Sequence, residues 1–421
     1  IDLPQFNYFE SLARQITPGS KIILCSAEPS WIYAREIGAG AYQNFEYFER
    51  KIIRSNNLEL VVGLAGDLHT YARYEEEPAD GSRKQSNARS APGPRQRLTA
   101  GGGGAYLYPS HQLPERLELP SGEPTADVHS NASRDTFKQK GIFPEKSDSW
   151  RMSFGALRLP FLNRSFALIL GSVYLLFAWL MQSATTLPFT SVNQGESFLE
   201  RLLRVEILTG EGILEIFLSF WIVLRHSPST VVLVLLVTGG LIGFADMKVA
   251  WKRVALGVVH AGAHVVLALL LMWGFAAINL GWLELSVDDP AQVLLFLAEM
   301  LIIGSLLGGM LFGLYLLLSN LLLGVDGGDD TRAAGRRRAR QKGVHANEVF
   351  SSQSIADYKN FVRFEIRENG DLVIYPVGIE HVCEDWTFNA STSAGRPWFD
   401  PAEGTISERA ALIEEPVVVS S

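Results

Sequence analysis

Residues 58–74 read LELVVGLAGDLHTYARY. The first seven are mostly apolar and branched, and a glycine follows them closely, which predicts a short buried strand. Asp67 and His69 come two residues apart where this strand leaves the core. A carboxylate and an imidazole at such a strand end can share one metal ion. The stretch therefore predicts either one arm of a metal site or an ordinary strand end.

The surroundings of this stretch alternate between strand and helix patterns. Residues 21–27, KIILCSA, predict a second buried strand, and apolar periodicity predicts helices over 5–15 and 41–55. Such alternation indicates an α/β domain. Residues 75–97 are rich in charge, proline, glycine and serine, which predicts a mobile loop.

A glycine-rich segment follows that loop. Residues 97–111 read RLTAGGGGAYLYPSH, a short strand, four glycines and an aromatic run that ends at His111. Glycines allow backbone N–H groups to approach an anion or another strand closely, although glycine-rich turns without ligands are more common. Gly102 and Gly103 are therefore candidates for substrate binding, and His111 is a candidate metal ligand or hydrogen-bond partner.

The composition indicates that part of the chain lies in lipid. Of 421 residues, 47% are hydrophobic and only 19% are charged, and the apolar residues concentrate between 166 and 324. The net charge is −8 and the basic residues form short runs beside apolar segments, so no nucleic-acid partner is expected. Two cysteines, Cys25 and Cys383, are too few for a disulfide framework and predict buried thiols in a reducing compartment.

Four apolar stretches predict membrane-spanning helices, since about 20 residues cross a hydrocarbon layer of about 30 Å. They are residues 166–183, 231–245, 254–282 and 293–323. A fifth stretch, 207–224, contains two glutamates and two glycines and is either re-entrant or a fifth span. Basic runs lie before the first span, between the second and third, and after the last. The positive-inside rule then favours four spans and predicts an integral protein of the plasma (inner) membrane with both soluble parts in the cytoplasm.

Three ionisable residues fall inside the predicted spans, namely His260, His264 and Glu299. The two histidines are four residues apart, hence on one face of a helix, where they can hold a metal ion or relay protons. The alternative is that they hydrogen-bond to a neighbouring helix carbonyl or to Glu299 and fix the packing of the bundle.

The chain after the last span contains a hairpin pattern. Residues 361–379, FVRFEIRENGDLVIYPVGI, alternate apolar and charged side chains around Asn369 and Gly370, which predicts two strands and a tight turn. Pro376 indicates an edge strand, because proline cannot donate to a neighbouring strand. The segment is either a small separate β element or an addition to the first domain.

These patterns divide the chain into five parts. They are an α/β domain over 1–115, a linker to the membrane over 116–165, a transmembrane region over 166–324, a basic cytoplasmic linker over 325–345, and a β-hairpin segment with a disordered tail over 346–421. The first part is expected to carry the chemistry, because the last contains no combination of nucleophile, base and orienting residue.

Six segments carry a resemblance along most of the chain. They are IDLPQFNYFE (1–10), IILCSAEPSW (22–31), GDLHTYARY (66–74), LTAGGGGAYLYPSH (98–111), SFGALRLPFLNRSFALILGSVYLLFAW (153–179) and FSSQSIADYKNFVRFEI (350–366). In this order they resemble a family of membrane-anchored calcineurin-like metallophosphoesterases. The resemblance implies a β-sandwich flanked by helices, with two metal ions held at strand ends.

The resemblance also implies roles for individual residues. GDLH, residues 66–69, looks like the last metal motif of the family, so His69 would bind a metal ion and Asp67 would bind it or orient another ligand. Tyr71, Arg73 and Tyr74 would line the mouth of the substrate site, where a guanidinium suits a phosphate; the alternative is that they are surface aromatics and a solvated arginine. Mixed histidine and aspartate ligands suit Mn, Fe or Zn.

The sequence departs from the family pattern in two places. Ser26, Ala27 and Glu28 occupy the strand end where the family has a lone metal-binding histidine. The family's Gly-Asn-His motif and its earlier Gly-Asp motif do not occur in their expected settings and would lie upstream of Ile1. We therefore expect this chain to be the C-terminal part of a longer enzyme and to lack activity on its own.

The leading prediction is a membrane-anchored, metal-dependent phosphoester hydrolase with two divalent ions in the complete protein. Lipid phosphates, nucleotides and phosphoproteins all remain open as substrates. A second hypothesis, from another class, is a non-catalytic membrane scaffold, sensor or transporter-like protein that uses His260, His264 and Glu299.

Overall fold

The computed structural model describes residues 3–36, 38–77, 93–120, 134–185, 197–206, 210–324, 342–389, 398–402 and 409–420. The chain divides into two compact units. The first, here called the sheet unit, comprises Ile1–Met152, Gly335–Lys342 and Ser354–Ser421, and the second, the helical unit, comprises Ser153–Ala334 and Gly343–Gln353. The N-terminal and C-terminal parts of this mixed helix and sheet protein therefore share one unit.

A six-stranded sheet forms the centre of the sheet unit. Its strands are β1 (Lys21–Ser26), β2 (Glu59–Ala65), β3 (Tyr71–Glu76), β4 (Gln96–Ala100), β5 (Arg116–Pro120) and β6 (Arg134–Phe143), in the order β1, β2, β4, β3, β6, β5. Strands β1, β2 and β4 run parallel, whereas β3, β6 and β5 pair antiparallel. The strands predicted at 21–27 and 58–64 form as β1 and β2. β2 is buried as predicted, whereas β1 is an edge strand and none of its residues is fully buried.

Three helices pack on one face of this sheet. They are α1 (Leu3–Ala13), α2 (Ser30–Glu36) and α3 (Gln43–Phe48), and α3 continues into a π-helical turn, Glu49–Ile53. The helices predicted over 5–15 and 41–55 are thereby confirmed. Trp31 and Phe45 meet edge to face, with ring centroids 5.5 Å apart, and join a buried core that includes Leu60 and Tyr74 of the sheet.

Two strands lie where the sequence indicated only a linker to the membrane. β5 and β6 both fall within 116–165, and helix α4 (Lys146–Ser153) follows them. β6 pairs with β3, which places Tyr71 opposite Phe143. The linker prediction is wrong here, because β6 pairs with β5 and also with β3, a strand far away in the sequence that no local pattern links to it. The predicted mobile loop 75–97 lies mostly outside the described residues, and its ends belong to β3 and β4.

A second sheet, built from the C-terminal part of the chain, packs on the other face. It contains β7 (Lys359–Ile366) and β8 (Leu372–Ile379), then, after a ribbon of β9 (Trp386–Phe388) and β10 (Phe399–Pro401), β11 (Ala410–Leu412) and β12 (Val417–Val419). Val62, Tyr71 and Leu98 of the first sheet share a buried core with Ile374 and Val419. The predicted hairpin is confirmed, and it is an addition to the first domain.

β8 is the central strand of this second sheet, so the edge position that Pro376 indicated is wrong. β7 pairs along one side of β8, and β11 and β12 pair along the other. Pro376 lies at the break between β11 and β12, where its carbonyl accepts a hydrogen bond from the N–H of Ile413 at 2.9 Å. No ladder bond needs the missing N–H there. The disordered tail predicted within 346–421 is also corrected, because β11 and β12 belong to it.

The helical unit contains the apolar helices. Those after α4 are α5 (Leu159–Leu162), α6 (Arg164–Thr185), α7 (Phe198–Leu203), α8 (Gly210–His226), α9 (Pro228–Phe244), α10 (Ala250–Ala276), α11 (Pro290–Leu322) and α12 (Ala346–Ser351). Three helical segments among the described residues are long and apolar enough to cross a membrane, namely Arg164–Ser183, Ala250–Trp282 and Pro290–Leu322. Large apolar side chains such as Ile169, Leu294 and Ile302 are exposed on them, as expected of a surface that faces hydrocarbon.

The second predicted span, residues 231–245, takes a different form. α8 and α9 are bent by 107° at the break between them and are long enough only as a pair, which makes them a broken span or a re-entrant loop. Residues 231–245, predicted as a full span, are therefore one arm of this pair. Within the described residues, three helices are thus long and apolar enough to cross a membrane, or four segments if the bent pair is one span.

Candidate functional site

The candidate site lies at the carboxyl ends of β1 and β2. Because these strands are parallel, their ends meet at one edge of the sheet, with Ser26 opposite Ala65. The N–H of Gly66 donates to the carbonyl of Ala27 at 3.1 Å and ties the two ends together. Asp67 and His69 follow directly, so both stand at a strand end, as the sequence predicted.

The ring of His69 is held in one orientation. Its Nδ1 lies 2.8 Å from the carbonyl oxygen of Tyr106. A carbonyl can only accept, so Nδ1 carries the proton and the lone pair of the neutral ring is on Nε2. The Tyr106 ring also packs edge-on against the imidazole, with centroids 4.6 Å apart. His69 is partly exposed, so Nε2 is the atom with which it can bind a ligand.

Asp67 is exposed and adopts a left-handed backbone conformation, with φ of 62°. Aspartate tolerates this region better than most residues. Its Oδ2 accepts a hydrogen bond from the hydroxyl of Tyr33 on α2. Burial raises the pKa of Tyr33, and the neighbouring Asp67 raises it further, so Tyr33 remains a proton donor. This contact fixes the carboxylate at the strand end.

The two residues do not by themselves complete a metal site. Among the residues that the structure describes, no three His, Cys, Asp or Glu side chains lie close enough to hold an ion. Ser26 and Ala27 provide neither an imidazole nor a carboxylate at the neighbouring strand end. Two-metal hydrolytic sites need several such ligands. The described residues therefore fit one arm of a metal site and not a whole one.

The glycine run packs against protein at three of its four positions. A Cβ on Gly101 would overlap the carbonyl of Leu68, and one on Gly104 would overlap the ring of His69. Gly102 is buried against Asn360 of β7, which is the close approach of another strand that the sequence left open. Gly103 alone of the four is exposed, with nothing near its Cβ position.

Tyr71, Arg73 and Tyr74 lie inside the sheet unit rather than at the mouth of a site. The hydroxyl of Tyr71 donates to Glu414 at 2.6 Å, and the guanidinium of Arg73 donates to both oxygens of Glu414 at 2.7 and 2.8 Å. The hydroxyl of Tyr74 donates to the carbonyl of Pro114 at 2.9 Å. All three are buried because β3 is covered on both faces. Arg73 is thus engaged by a carboxylate and is not open to a phosphate.

His111 was predicted as a metal ligand or a hydrogen-bond partner, and the structure shows it as a hydrogen-bond partner. It is 6% exposed, and its Nδ1 lies 2.8 Å from the hydroxyl oxygen of Ser149 on α4. The ring of Trp150 meets it edge-on, with centroids 5.7 Å apart. His111 therefore acts as a hydrogen-bond partner that joins the end of the glycine-rich segment to α4.

The sequence missed the residues that the C-terminal sheet brings to this unit. Glu414 reaches Arg73, and the ammonium group of Lys359 donates to the carbonyl of Gly104 at 2.7 Å. The hairpin pattern showed that β7 and β8 form but gave no signal of which sheet they cover. These contacts join segments that lie far apart in the sequence, so no local pattern could have predicted them.

The helical unit contains a separate chain of polar contacts. The hydroxyl of Tyr174 lies 2.7 Å from Nδ1 of His264, whose Nε2 lies 3.1 Å from Nε2 of His260. The ring of Tyr315 stacks on His260 with centroids 3.6 Å apart. Glu299 instead accepts a hydrogen bond from the side-chain amide of Asn279 at 2.8 Å. The predicted histidine pair is thus brought together, with Tyr174 and not Glu299 as its partner.

Comparison with models of known families, with curated proteins and with solved structures finds no match to this chain. The calcineurin-like resemblance therefore stays a prediction. The geometry around Asp67 and His69 is the basis for the function considered next.

Proposed function

We propose that this chain belongs to a membrane-anchored, metal-dependent phosphoester hydrolase in which His69 is a metal ligand. The observation that carries the proposal is the orientation of His69. The carbonyl of Tyr106 holds Nδ1, and Nε2 is left for a ligand where β1 and β2 end. Metal-binding histidines are held in this way, because a hydrogen bond to the other nitrogen fixes the tautomer and the direction of the ring.

The chain's own residues have defined tasks under this proposal. His69 binds a divalent ion, and Asp67, fixed by Tyr33, binds the same ion or orients another ligand. Further ligands would come from outside the described residues. Divalent ions, of which Mn, Fe and Zn suit these donors, supply the polarisation of the phosphoryl group and the activation of water when bound.

The proposal also assigns a location. Three helices long and apolar enough to cross a membrane support anchoring in a bilayer. We place the sheet unit on the cytoplasmic side of the plasma (inner) membrane, where the positive-inside rule puts the basic runs. The substrate is a phosphoester whose type stays open, and nucleic acid is not proposed as a partner.

Replacing the proposed ligand tests this function. In the natural full-length protein, His69→Ala is expected to lower metal affinity by more than about 100-fold, because even outer-shell partners of metal ligands contribute about 10–100-fold. Hydrolysis of p-nitrophenyl phosphate and bis-p-nitrophenyl phosphate should fall in parallel. Metal content is measured by elemental analysis of the purified protein.

A matched histidine serves as the control. His381 is exposed and pairs with Asp357 at 3.2 Å, so His381→Ala should change neither metal content nor turnover. Unchanged metal content and activity in His69→Ala would remove His69 from the site. A full-length wild type that holds no metal and hydrolyses neither ester would end the hydrolase proposal.

The second candidate function belongs to the helical unit. The contacts from Tyr174 through His264 to His260 are the observation that favours a transport or sensing role there. Buried histidines inside membrane segments often mark proton or ion pathways. The same contacts equally serve to fix helices α6 and α10 against each other.

A further inference from the structure

Lys359 stands beside the candidate site although it follows the last apolar helix in the sequence. It is the first residue of β7, and its ammonium group donates to the carbonyl of Gly104 at 2.7 Å. Gly104 in turn packs directly against the ring of His69. Within the sheet unit, the single residue Gly104 therefore contacts both the ammonium group of Lys359 and the ring of His69, the proposed metal ligand.

Among the described residues, no ion pair neutralises the charge of Lys359. Lys359 is half-buried, and within the described residues no carboxylate lies at ion-pair distance from it. Other shielded cations of the unit do have such partners, as Arg73 has Glu414 at 2.7 Å and Lys342 has Glu36 at 3.5 Å. Burial lowers the pKa of Lys359, with a smaller opposing effect from Asp357. A half-buried cation of this kind favours an anion next to it.

A second polar side chain that touches the glycine run, that of Asn360, makes no hydrogen bond among the described residues. Asn360 is 5% exposed, and both its amide nitrogen and its amide oxygen are buried without a hydrogen bond among the described residues. The side chain lies against Gly102 of the glycine run. A buried amide left unsatisfied is destabilising, so a ligand that accepts a hydrogen bond from its N–H would be favoured.

We propose that Lys359, Asn360 and the glycine run form a phosphoryl-binding subsite beside His69. The inference rests on the proposed function, which it deepens by assigning the residues that take the anionic phosphoryl group of the substrate. The two remaining N–H groups of Lys359 and the amide of Asn360 supply donors, and the positive charge matches the phosphate. The strand that follows the membrane region thereby completes a site begun at the N-terminal strands.

Inorganic phosphate is the probe that tests the subsite. Its affinity for the purified, metal-free chain is measured by calorimetry and by the shift of the His69 imidazole resonances. Lys359→Gln should weaken phosphate binding by about 10-fold to 100-fold, the loss expected for one hydrogen bond to a charged group. Lys359→Arg keeps the charge and should retain most of the affinity.

Two further variants make the result specific. Lys140 is an exposed lysine 3.8 Å from Glu75, and Lys140→Gln should bind phosphate like the wild type. His69→Ala should still bind phosphate in the absence of metal, so failure of the metal site is distinguishable from failure of this subsite. Equal affinity in Lys359→Gln and wild type, or no phosphate binding and no imidazole shift in the wild type, would overturn the inference.

Discussion

His69 is the residue on which the candidate site depends, and its surroundings explain how a side chain on a turn is kept in place. The carbonyl of Tyr106 accepts a hydrogen bond from its Nδ1–H, the Tyr106 ring covers one edge, and Gly104 lies against the imidazole. Each contact comes from the segment after β4, so the glycine-rich stretch acts as a support for His69. A side chain supported in this way loses little freedom on binding a ligand.

The glycine at position 104 is therefore predicted to be sensitive to substitution. In Gly104→Ala, the new Cβ would overlap the His69 ring, and we expect the free energy of unfolding of the sheet unit to fall by about 1–3 kcal/mol, as for other overpacked sites. The His69 imidazole resonances should shift as the ring is displaced. Urea unfolding in detergent and histidine-selective NMR measure the two effects.

Gly103 provides the comparison for that substitution. Nothing lies within 4 Å of its Cβ position, so Gly103→Ala should change the stability by less than about 0.5 kcal/mol and leave the His69 resonances in place. Equal effects of the two substitutions would mean that the contact between Gly104 and His69 is not as described.

Among the elements, those defined by local pattern were predictable and those defined by distant pairing were not. β1, β2 and the hairpin of β7 and β8 each carry their own apolar pattern and turn residues, so they could be read directly. β5 is short, and β6 pairs with the distant β3 as well as with β5, and both strands were taken for a linker. The same limit hid the burial of Tyr71 and Arg73, which the second sheet covers, and of Tyr74, which packs into the core on the other face of β3.

The contact between α6 and α10 is expected to be structural. His264→Leu would leave Tyr174 and His260 without their shared partner, and we expect a loss of about 1 kcal/mol in the stability of the helical unit, typical of hydrogen bonds within membranes. His264→Gln retains hydrogen-bonding groups and should lose less. Thermal unfolding in detergent compares the two variants.

Proton flux distinguishes packing from transport in the same variants. If the contacts only fix the helices, liposomes with wild-type protein should dissipate an imposed pH gradient no faster than protein-free liposomes. A faster decay that disappears in His264→Gln, and persists in the exposed control His226→Gln, would favour the transport hypothesis instead.

At the scale of the whole molecule, the sheet unit is assembled from two segments separated by the apolar helices. Residues before 153 supply the six-stranded sheet, and residues after 353 supply the sheet that covers it. The shared core of Val62, Leu98, Ile374 and Val419 cannot form unless both segments meet. Folding of this unit therefore requires both segments.

The two cysteines report on this arrangement. Cys25 of β1 is exposed and Cys383 is partly exposed, in contrast to the buried thiols predicted, and both belong to the sheet unit. We expect a membrane-impermeant maleimide to label both from one side of sealed vesicles and neither from the other. Mass spectrometry of the labelled peptides reads the result, and labelling of the two cysteines from opposite sides would contradict the shared unit.

The joining of the chain's two ends also constrains its path through lipid. Two sheets that share a buried core cannot be divided by a bilayer, so if the apolar helices cross a membrane, the chain enters and leaves it on the same face. The number of complete crossings is then even. Among the described residues, the three long helices alone would give an odd number of crossings. Counting the bent pair of α8 and α9 as one crossing makes four. The parity of the path thus favours a broken transmembrane span for that pair over a re-entrant loop.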